Sequence, residues 1–241
     1  MSILRTAFMR RVVGEPSAYR LLLYRNAFVS RFVPEWIAVP LRPYRKLEAC
    51  PSDHRKGRWD DLESIQEFAH NSVIAGYYAR LRPHGSVLDL GCGSGLMQRT
   101  LLPYKYSRYL GIDISPDAIK RASVSLEACA PYPDTIFQIG NMEQPLEWNG
   151  APFDVIIINE SLYYAEKPVQ VLSRLYEEVL APDGIFIISM YHSLTSQRLW
   201  RLLARRGWRP TDVTTVGNKV GVTWTIGVFV MNTHKEDGNA P

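Results

Sequence analysis

Residues 87–97 read VLDLGCGSGLM. A short apolar run holds one acid, Asp89, and ends at Leu90. Gly91, Gly93 and Gly95 then alternate with small residues. Glycines so spaced let the backbone turn tightly and let a ligand approach with no Cβ in the way. Whether this is a ligand cradle or only a tight turn depends on what flanks it.

The flanks alternate between strand and helix patterns. SVLDL (86–90), RYLGID (108–113), TIFQIG (135–140), FDVIIIN (153–159) and Gly184 to Met190 read as strands. Gly95 to Leu102, PDAIKRASVSLEACA (116–130), PVQVLSRLYEEVL (168–180) and about 195–206 read as helices. A further helix is expected over 61–81, started by Asp60 and Asp61 and stopped by Pro83 and Gly85. FDVIIIN is almost continuously apolar, as a strand covered on both faces should be. This alternation implies an α/β fold, a Rossmann-like and mostly parallel sheet with helices on both faces. The end of the chain differs. WRPTDVTTV (208–216) and VTWTIGVFV (222–230) are joined only by GNKVG, so these strands must be antiparallel, a C-terminal hairpin completing a seven-stranded sheet.

In such sheets ligands bind beyond the carboxyl ends of the strands. The glycine turn lies at one such end, before a helix start whose free N–H groups suit an anionic group. Asp113 ends the next strand, 22 residues past Gly91. A carboxylate there can accept from both hydroxyls of a ribose. The pair of features points to a ribose-bearing cofactor. The dinucleotide pattern G-x-G-x-x-G would need a glycine at Leu96, so NAD is the weaker candidate.

Bulk properties narrow the setting. The chain has 241 residues, 46% hydrophobic and 22% charged, enough for a real core. No apolar run approaches the roughly 20 residues of a membrane span, and the N-terminal stretch lacks the apolar core of a secretory signal. Three separated cysteines, Cys50, Cys92 and Cys129, fit a reducing, cytoplasmic setting with neither a disulfide framework nor zinc spacing, so no metal is expected. Net charge is +4, but residues 1–46 hold nine Arg or Lys and two acids, a balance of +7 that leaves −3 for the remainder. The chain divides into a basic extension over 1–56, a main domain over 57–232 and a tail, expected to be disordered, over 233–241.

Several segments together resemble the class I S-adenosylmethionine-dependent methyltransferases. LDLGCGSG resembles their first motif, YLGIDISPDAIKRA the second, and GNME (140–143) the adenine loop, with Asn141 where an Asp is frequent. FDVIIINESLYYAEKP resembles the fourth strand and its loop. LAPDGIFIISMY resembles the turn into the fifth strand, with Asp183 replacing a glycine. The resemblance covers about 86–230 and implies S-adenosylmethionine as cofactor. It implies that Gly91, Cys92 and Gly93 hold its methionine part, that Asp89 orients the amino group, and that Asp113 binds the ribose. Ile114 and Met142 would flank the adenine, with Asn141 at its edge, and Asn159 would complete the cofactor set.

Acceptor residues are expected at the ends of the fourth and fifth strands. Glu160 or His192 could take a proton there, with Tyr164 beside them. Tyr163, Tyr191 and, from GRWDDL (57–62), Trp59 would contact the substrate. The ESLYY segment resembles the nodulation N-methyltransferases and small-molecule or saccharide-biosynthesis enzymes. That implies an oxygen or nitrogen of a small molecule or glycan as acceptor. No Asn-Pro-Pro-Tyr or Pro-Cys segment points to DNA. A non-catalytic module with this fold and an RNA methyltransferase are the competing readings; the acidic balance outside the extension counts against RNA. The extension, with Leu21, Leu22, Leu23, Phe28, Val29 and Phe32 among its arginines, is a candidate for peripheral contact with the inner membrane surface. Arg25 interrupts its apolar stripe, which favours a substrate cap instead.

Overall fold

The computed structural model describes residues 68–128, 133–219 and 221–230. The extension over 1–56, Trp59, the first part of the 61–81 helix, Cys50, Cys129 and the 233–241 tail lie outside the described residues.

The elements run α1 (Phe68–Leu81), β1 (Val87–Leu90), α2 (Leu96–Leu101), β2 (Arg108–Asp113), α3 (Pro116–Glu127) and β3 (Asp134–Ile139). They continue through β4 (Phe153–Asn159), α4 (Pro168–Glu178), β5 (Leu180–Tyr191), α5 (Leu194–Arg205), β6 (Asp212–Gly217) and β7 (Thr223–Val230). The strands form one seven-stranded sheet in the order β3-β2-β1-β4-β5-β7-β6. The β1–β2, β2–β3, β1–β4 and β4–β5 pairs are parallel; β7 runs antiparallel to both β5 and β6. Strand order reverses at β1, where β2 lies on one side and β4 on the other. The glycine turn follows β1, so the sequence places it at the switch point where open sheets bind ligands.

Alternation along the strands builds the two faces. Val155 and Ile157 of β4 join Val87, Tyr109, Ile185 and Ile187 under α1 and α2. Ile156 and Ile158 join Leu88, Leu110, Phe186 and Ile188 under α4 and α5. Successive strand side chains point to opposite faces, so a strand apolar at every position needs two covering layers. On α1, Ile74, Ala75 and Tyr78 are buried, and the Tyr78 hydroxyl donates to the Gly85 carbonyl at 2.9 Å. This fastens the helix to the approach of β1. Ser115 caps α3 by accepting from the Ala118 amide, with Pro116 in the first turn.

Two boundaries depart most from the sequence pattern. β5 begins at Leu180 rather than Gly184, because Leu180 pairs with Phe153 before the register jumps to Ile185 opposite Val155. The Pro-Asp-Gly segment is therefore a bulge within the strand pairing. β6 begins at Asp212 rather than Trp208. Trp208 instead packs edge-on to Phe186 at 5.3 Å and to Tyr176 at 6.5 Å, so its apolar character belongs to the core under α4 and α5.

Candidate active site

The three glycines of the turn all have positive φ: 78° at Gly91, 55° at Gly93 and 80° at Gly95. They do not share one job. A Cβ on Gly91 would collide with the Ser161 Cβ and sit 2.8 Å from its Oγ. A Cβ on Gly95 would lie 2.9 Å from the Phe137 ring. A Cβ on Gly93 would meet nothing within 4 Å. Gly91 and Gly95 thus serve close packing inside the protein, whereas Gly93 borders open space.

Asp113 ties this turn to the end of β2. Its Oδ2 accepts from the Gly93 amide at 2.9 Å and its Oδ1 from the Ser115 amide at 2.8 Å. The Gly91 and Cys92 amides both donate to the Ile112 carbonyl, at 2.7 and 3.0 Å. An ionised carboxylate has about four acceptor positions. Two are used on the backbone, so Asp113 keeps capacity for two hydroxyls while the protein holds it still.

Asp89 is 1% exposed. The Tyr109 hydroxyl donates to its Oδ2, while its Oδ1 has no partner. Burial, helped by the nearby Asp113 charge, pushes its pKa up to about 7, against the opposing effect of the Tyr109 bond. A buried acceptor without a donor is unfavourable by itself. A cationic amino group brought to Oδ1 would remove that cost. The open side of Gly93, the spare capacity of Asp113 and the unpartnered Oδ1 of Asp89 fit the ribose and amino ends of S-adenosylmethionine. Cys92 is buried, and burial raises its thiol well above the usual range. It contributes to the cradle as backbone, with the side chain turned toward the core around Gly111.

The adenine-side residues lie at the ends of β2 and β3. The Gly140 amide donates to the Asp113 carbonyl at 3.0 Å, which brings the 140–143 loop to the ribose acid. Asn141 Oδ1 accepts from the Glu143 amide at 2.9 Å. Arg174 of α4 donates to the Met142 carbonyl at 2.5 Å, and the Lys167 amide donates to Glu143 Oε1 at 2.9 Å. Met142 is 8% exposed and packs in the core cluster, while Ile114 is half-buried.

On the other side of the switch point, Glu160 follows β4 with φ 57°, a left-handed backbone that non-glycine residues seldom adopt. Its amide donates to the Ser189 carbonyl at 3.0 Å. Its carboxylate accepts from the Tyr163 hydroxyl at 3.2 Å and faces Ser189 Oγ at 3.4 Å. Tyr163 packs against Tyr164 at 4.7 Å and edge-on to Tyr191 at 5.3 Å. Glu160, Tyr163, Tyr164 and Tyr191 are thus one group. His192 is exposed, and its Nε2 lies 2.5 Å from Gln197 Nε2 of α5, so the structure places it outside that group.

Sequence reading did not single out His70 and Asn71. Both are buried on α1, at 2% and 3% exposure. Asn71 Oδ1 accepts from Asn159 Nδ2 at 2.9 Å, joining α1 to the end of β4. Two polar residues side by side on an otherwise apolar helix face were the available signal. Among the described residues no group of His, Cys, Asp and Glu has the makings of a metal site.

Comparison with known proteins agrees with this geometry. A family model described as a methyltransferase domain matches residues 81–206. The ribosomal protein L11 methyltransferase of Thermus thermophilus is 30% identical over 141 residues, 58% of this chain and 52% of its own length. The mitochondrial ubiquinone biosynthesis O-methyltransferase of Saccharomyces cerevisiae is 30% identical over 109 residues, 45% of this chain and 34% of its own. The matches span about half or less of these curated relatives. Among solved structures, the N-methyltransferase NodS from Bradyrhizobium japonicum, in complex with S-adenosylhomocysteine, superposes with TM-score 0.58 at 19% identity. That match covers 79% of this chain and 98% of NodS. The family match spans more than half of the chain and takes in the glycine turn, Asp113 and the ends of β4 and β5. With the sheet order seen here, the chain belongs to the class I S-adenosylmethionine-dependent methyltransferases.

Proposed function

We propose that this chain methylates an oxygen or nitrogen of a small molecule or glycan. The observation that carries the reading is the cluster at the ends of β4 and β5, where Tyr163 donates to Glu160 and packs against Tyr164 and Tyr191. Aromatic faces give a ring-shaped organic acceptor a flat apolar surface. Glu160, held by Tyr163 and Ser189, offers carboxylate oxygens to a hydroxyl or N–H on that acceptor. The L11 methyltransferase acts on a protein, so the family likeness alone leaves the acceptor open. Both the ubiquinone-pathway relative and NodS bear names of O- or N-methylation, which agrees with the proposed pair of acceptor atoms.

Bound S-adenosylmethionine supplies a methyl group on a sulfonium, which becomes a neutral thioether when the methyl leaves. The protein's own contribution is positional. Asp113 and the Gly93 backbone hold the ribose, Asp89 Oδ1 receives the amino group, and Met142 and Ile114 flank the adenine. The tyrosine cluster aligns the acceptor; Trp59, outside the described residues, is proposed as a further acceptor contact. Holding reactants in line can account for a large share of such a barrier. Among the described residues no helix is long and apolar enough to cross a membrane. The basic extension is assigned as a substrate cap.

The test is calorimetry with S-adenosylhomocysteine, followed by a turnover screen against saccharides, phenols and amines. Micromolar or tighter cofactor binding with turnover in any of these classes supports the reading. Cofactor binding with turnover only on protein or RNA overturns the acceptor assignment.

A further inference from the structure

Two buried polar atoms on the acceptor side have no partner: His70 Nδ1 and Asn159 Oδ1. His70 sits in the first described turn of α1 and stacks on Trp224, with ring centroids 4.6 Å apart and planes 18° apart. Trp224 is the cross-strand neighbour of Tyr191 at the end of β5. Tyr191 in turn meets Tyr163 edge-on. The next residue, Asn71, is bonded to Asn159 at the end of β4. His70 therefore belongs to the corner where α1, β4, β5 and β7 meet. Asp89 and Asp113 lie across the switch point on β1 and β2. Buried polar atoms in proteins are nearly always satisfied, so two unpartnered atoms at this corner mark a place for a ligand's polar atom.

We propose that His70 Nδ1 receives the proton released by the acceptor atom, a hydroxyl or a weakly basic N–H rather than an aliphatic amine. The inference rests on the methyl-transfer reading given above. Methylation forms one O–C or N–C bond and breaks one S–C bond, which leaves the sulfur neutral and the acceptor atom with a proton to lose. In the Nε2–H tautomer, Nδ1 has a free lone pair to take it. The products are then the methylated acceptor, S-adenosylhomocysteine and an imidazolium that returns its proton to water.

The unpartnered Nδ1 at this corner sets the place of proton transfer, and acid strength agrees with the acceptor class. Burial lowers the His70 pKa from 6.5 to about 4, so its lone pair is free at neutral pH. So weak a base accepts a proton only from a strong acid. A protonated ether or amide is one. An alkylammonium is not, since its pKa is near lysine's ordinary value of about 10. His192 is exposed beside Gln197, whereas among the described residues His70 carries the buried, unpartnered nitrogen that can accept a proton.

The experiment uses the full chain saturated with S-adenosylhomocysteine, with histidine ring nitrogens followed by NMR during titration with phenol and, separately, with butylammonium. Phenol is expected to move the His70 Nδ1 resonance and butylammonium to leave it in place. His70→Phe keeps a ring on Trp224 and should bind S-adenosylhomocysteine within twofold of the parent while losing phenol affinity at least tenfold. His70→Gln, which keeps an acceptor atom, should recover part of that loss. A phenol titration that moves Trp224 or Tyr163 signals but not Nδ1 overturns the proposal. So does an equal response to butylammonium, or no response to phenol at all. Failure to bind S-adenosylhomocysteine would instead remove the methyltransferase reading beneath it.

Discussion

The Gly93 amide donates to Asp113 Oδ2 at 2.9 Å across 20 residues of sequence. One carboxylate therefore shapes the glycine turn and caps the approach to α3 before any cofactor arrives. Replacing it removes both a ligand contact and the loop's anchor. Asp113→Ala should weaken S-adenosylhomocysteine binding by roughly 1.5–3 kcal/mol for each charge-assisted bond lost. Calorimetry reads this directly. An unchanged dissociation constant would remove Asp113 from the ribose site.

Gly91 and Gly93 should separate in their effects. Gly91→Ala drives a methyl into Ser161, so it should lower the melting temperature of the cofactor-free protein. Gly93→Ala has room and incurs only the left-handed backbone strain, about 1–2 kcal/mol. Gly93→Val adds bulk on the open side and should abolish S-adenosylhomocysteine binding while leaving a folded protein. Thermal unfolding with and without ligand distinguishes the two sites; equal destabilisation by both alanine variants would contradict the assignment.

Much of this was legible in sequence, and the omissions have physical reasons. Sequence marked β2 and β4 to the residue, because the apolar run of each ends at a polar residue, Asp113 or Asn159, where the strand ends. It misplaced the start of β5, since a bulge between Leu180 and Ile185 looks like a turn when the partner strand is unknown. Trp208 carried a strand's composition but fills a hole between Phe186 and Phe229, a tertiary fact. The glycine pattern indicated a cradle but not that Ser161 closes Gly91 off. His70 stayed hidden because the His70–Asn71 pair, its one local signal, does not say which way either side chain points, and only the stack on Trp224 shows that.

Asp89 makes cofactor binding a proton-coupled event. Its pKa is raised to about 7, so at pH 6 the free protein holds a proton there. An ammonium beside Oδ1 favours the carboxylate, so binding S-adenosylhomocysteine at pH 6 should release close to one proton. Calorimetry in buffers of differing ionisation enthalpy measures the number. Asp89→Asn should bring it near zero. The same observed heat in every buffer would show that Asp89 does not meet the amino group.

His70 couples stability to pH in the opposite sense. Its folded pKa, about 4, lies below the ordinary 6.5. Between those values the unfolded chain binds the proton and the folded one does not, so stability falls as pH drops from 6.5 toward 4. The loss is about 3 kcal/mol over that window, and nothing further is lost from this group below it. Urea unfolding of the parent and of His70→Phe at pH 7 and 4.5 isolates the effect. The parent should lose more stability than the variant; matching losses would mean that His70 is protonated in the folded state.

Glu160 sets stability against turnover. At φ 57° its backbone is strained, by about 1–2 kcal/mol for a residue with a Cβ. Glycine relieves that strain but gains unfolded-state freedom of about 0.5–1 kcal/mol. Glu160→Gly should therefore unfold at a slightly higher temperature than the parent. It also removes the carboxylate between Tyr163 and Ser189 that is assigned to align the acceptor. Misplacing a reactant by about an ångström costs on the order of a hundredfold in rate, so turnover should fall by that order with cofactor affinity unchanged. Glu160→Gln keeps both the strain and the side-chain length, and should lose less turnover while melting near the parent temperature. A glycine variant that melts lower and turns over normally would mean that the strained backbone serves packing alone and that the acceptor is aligned by the tyrosines without Glu160.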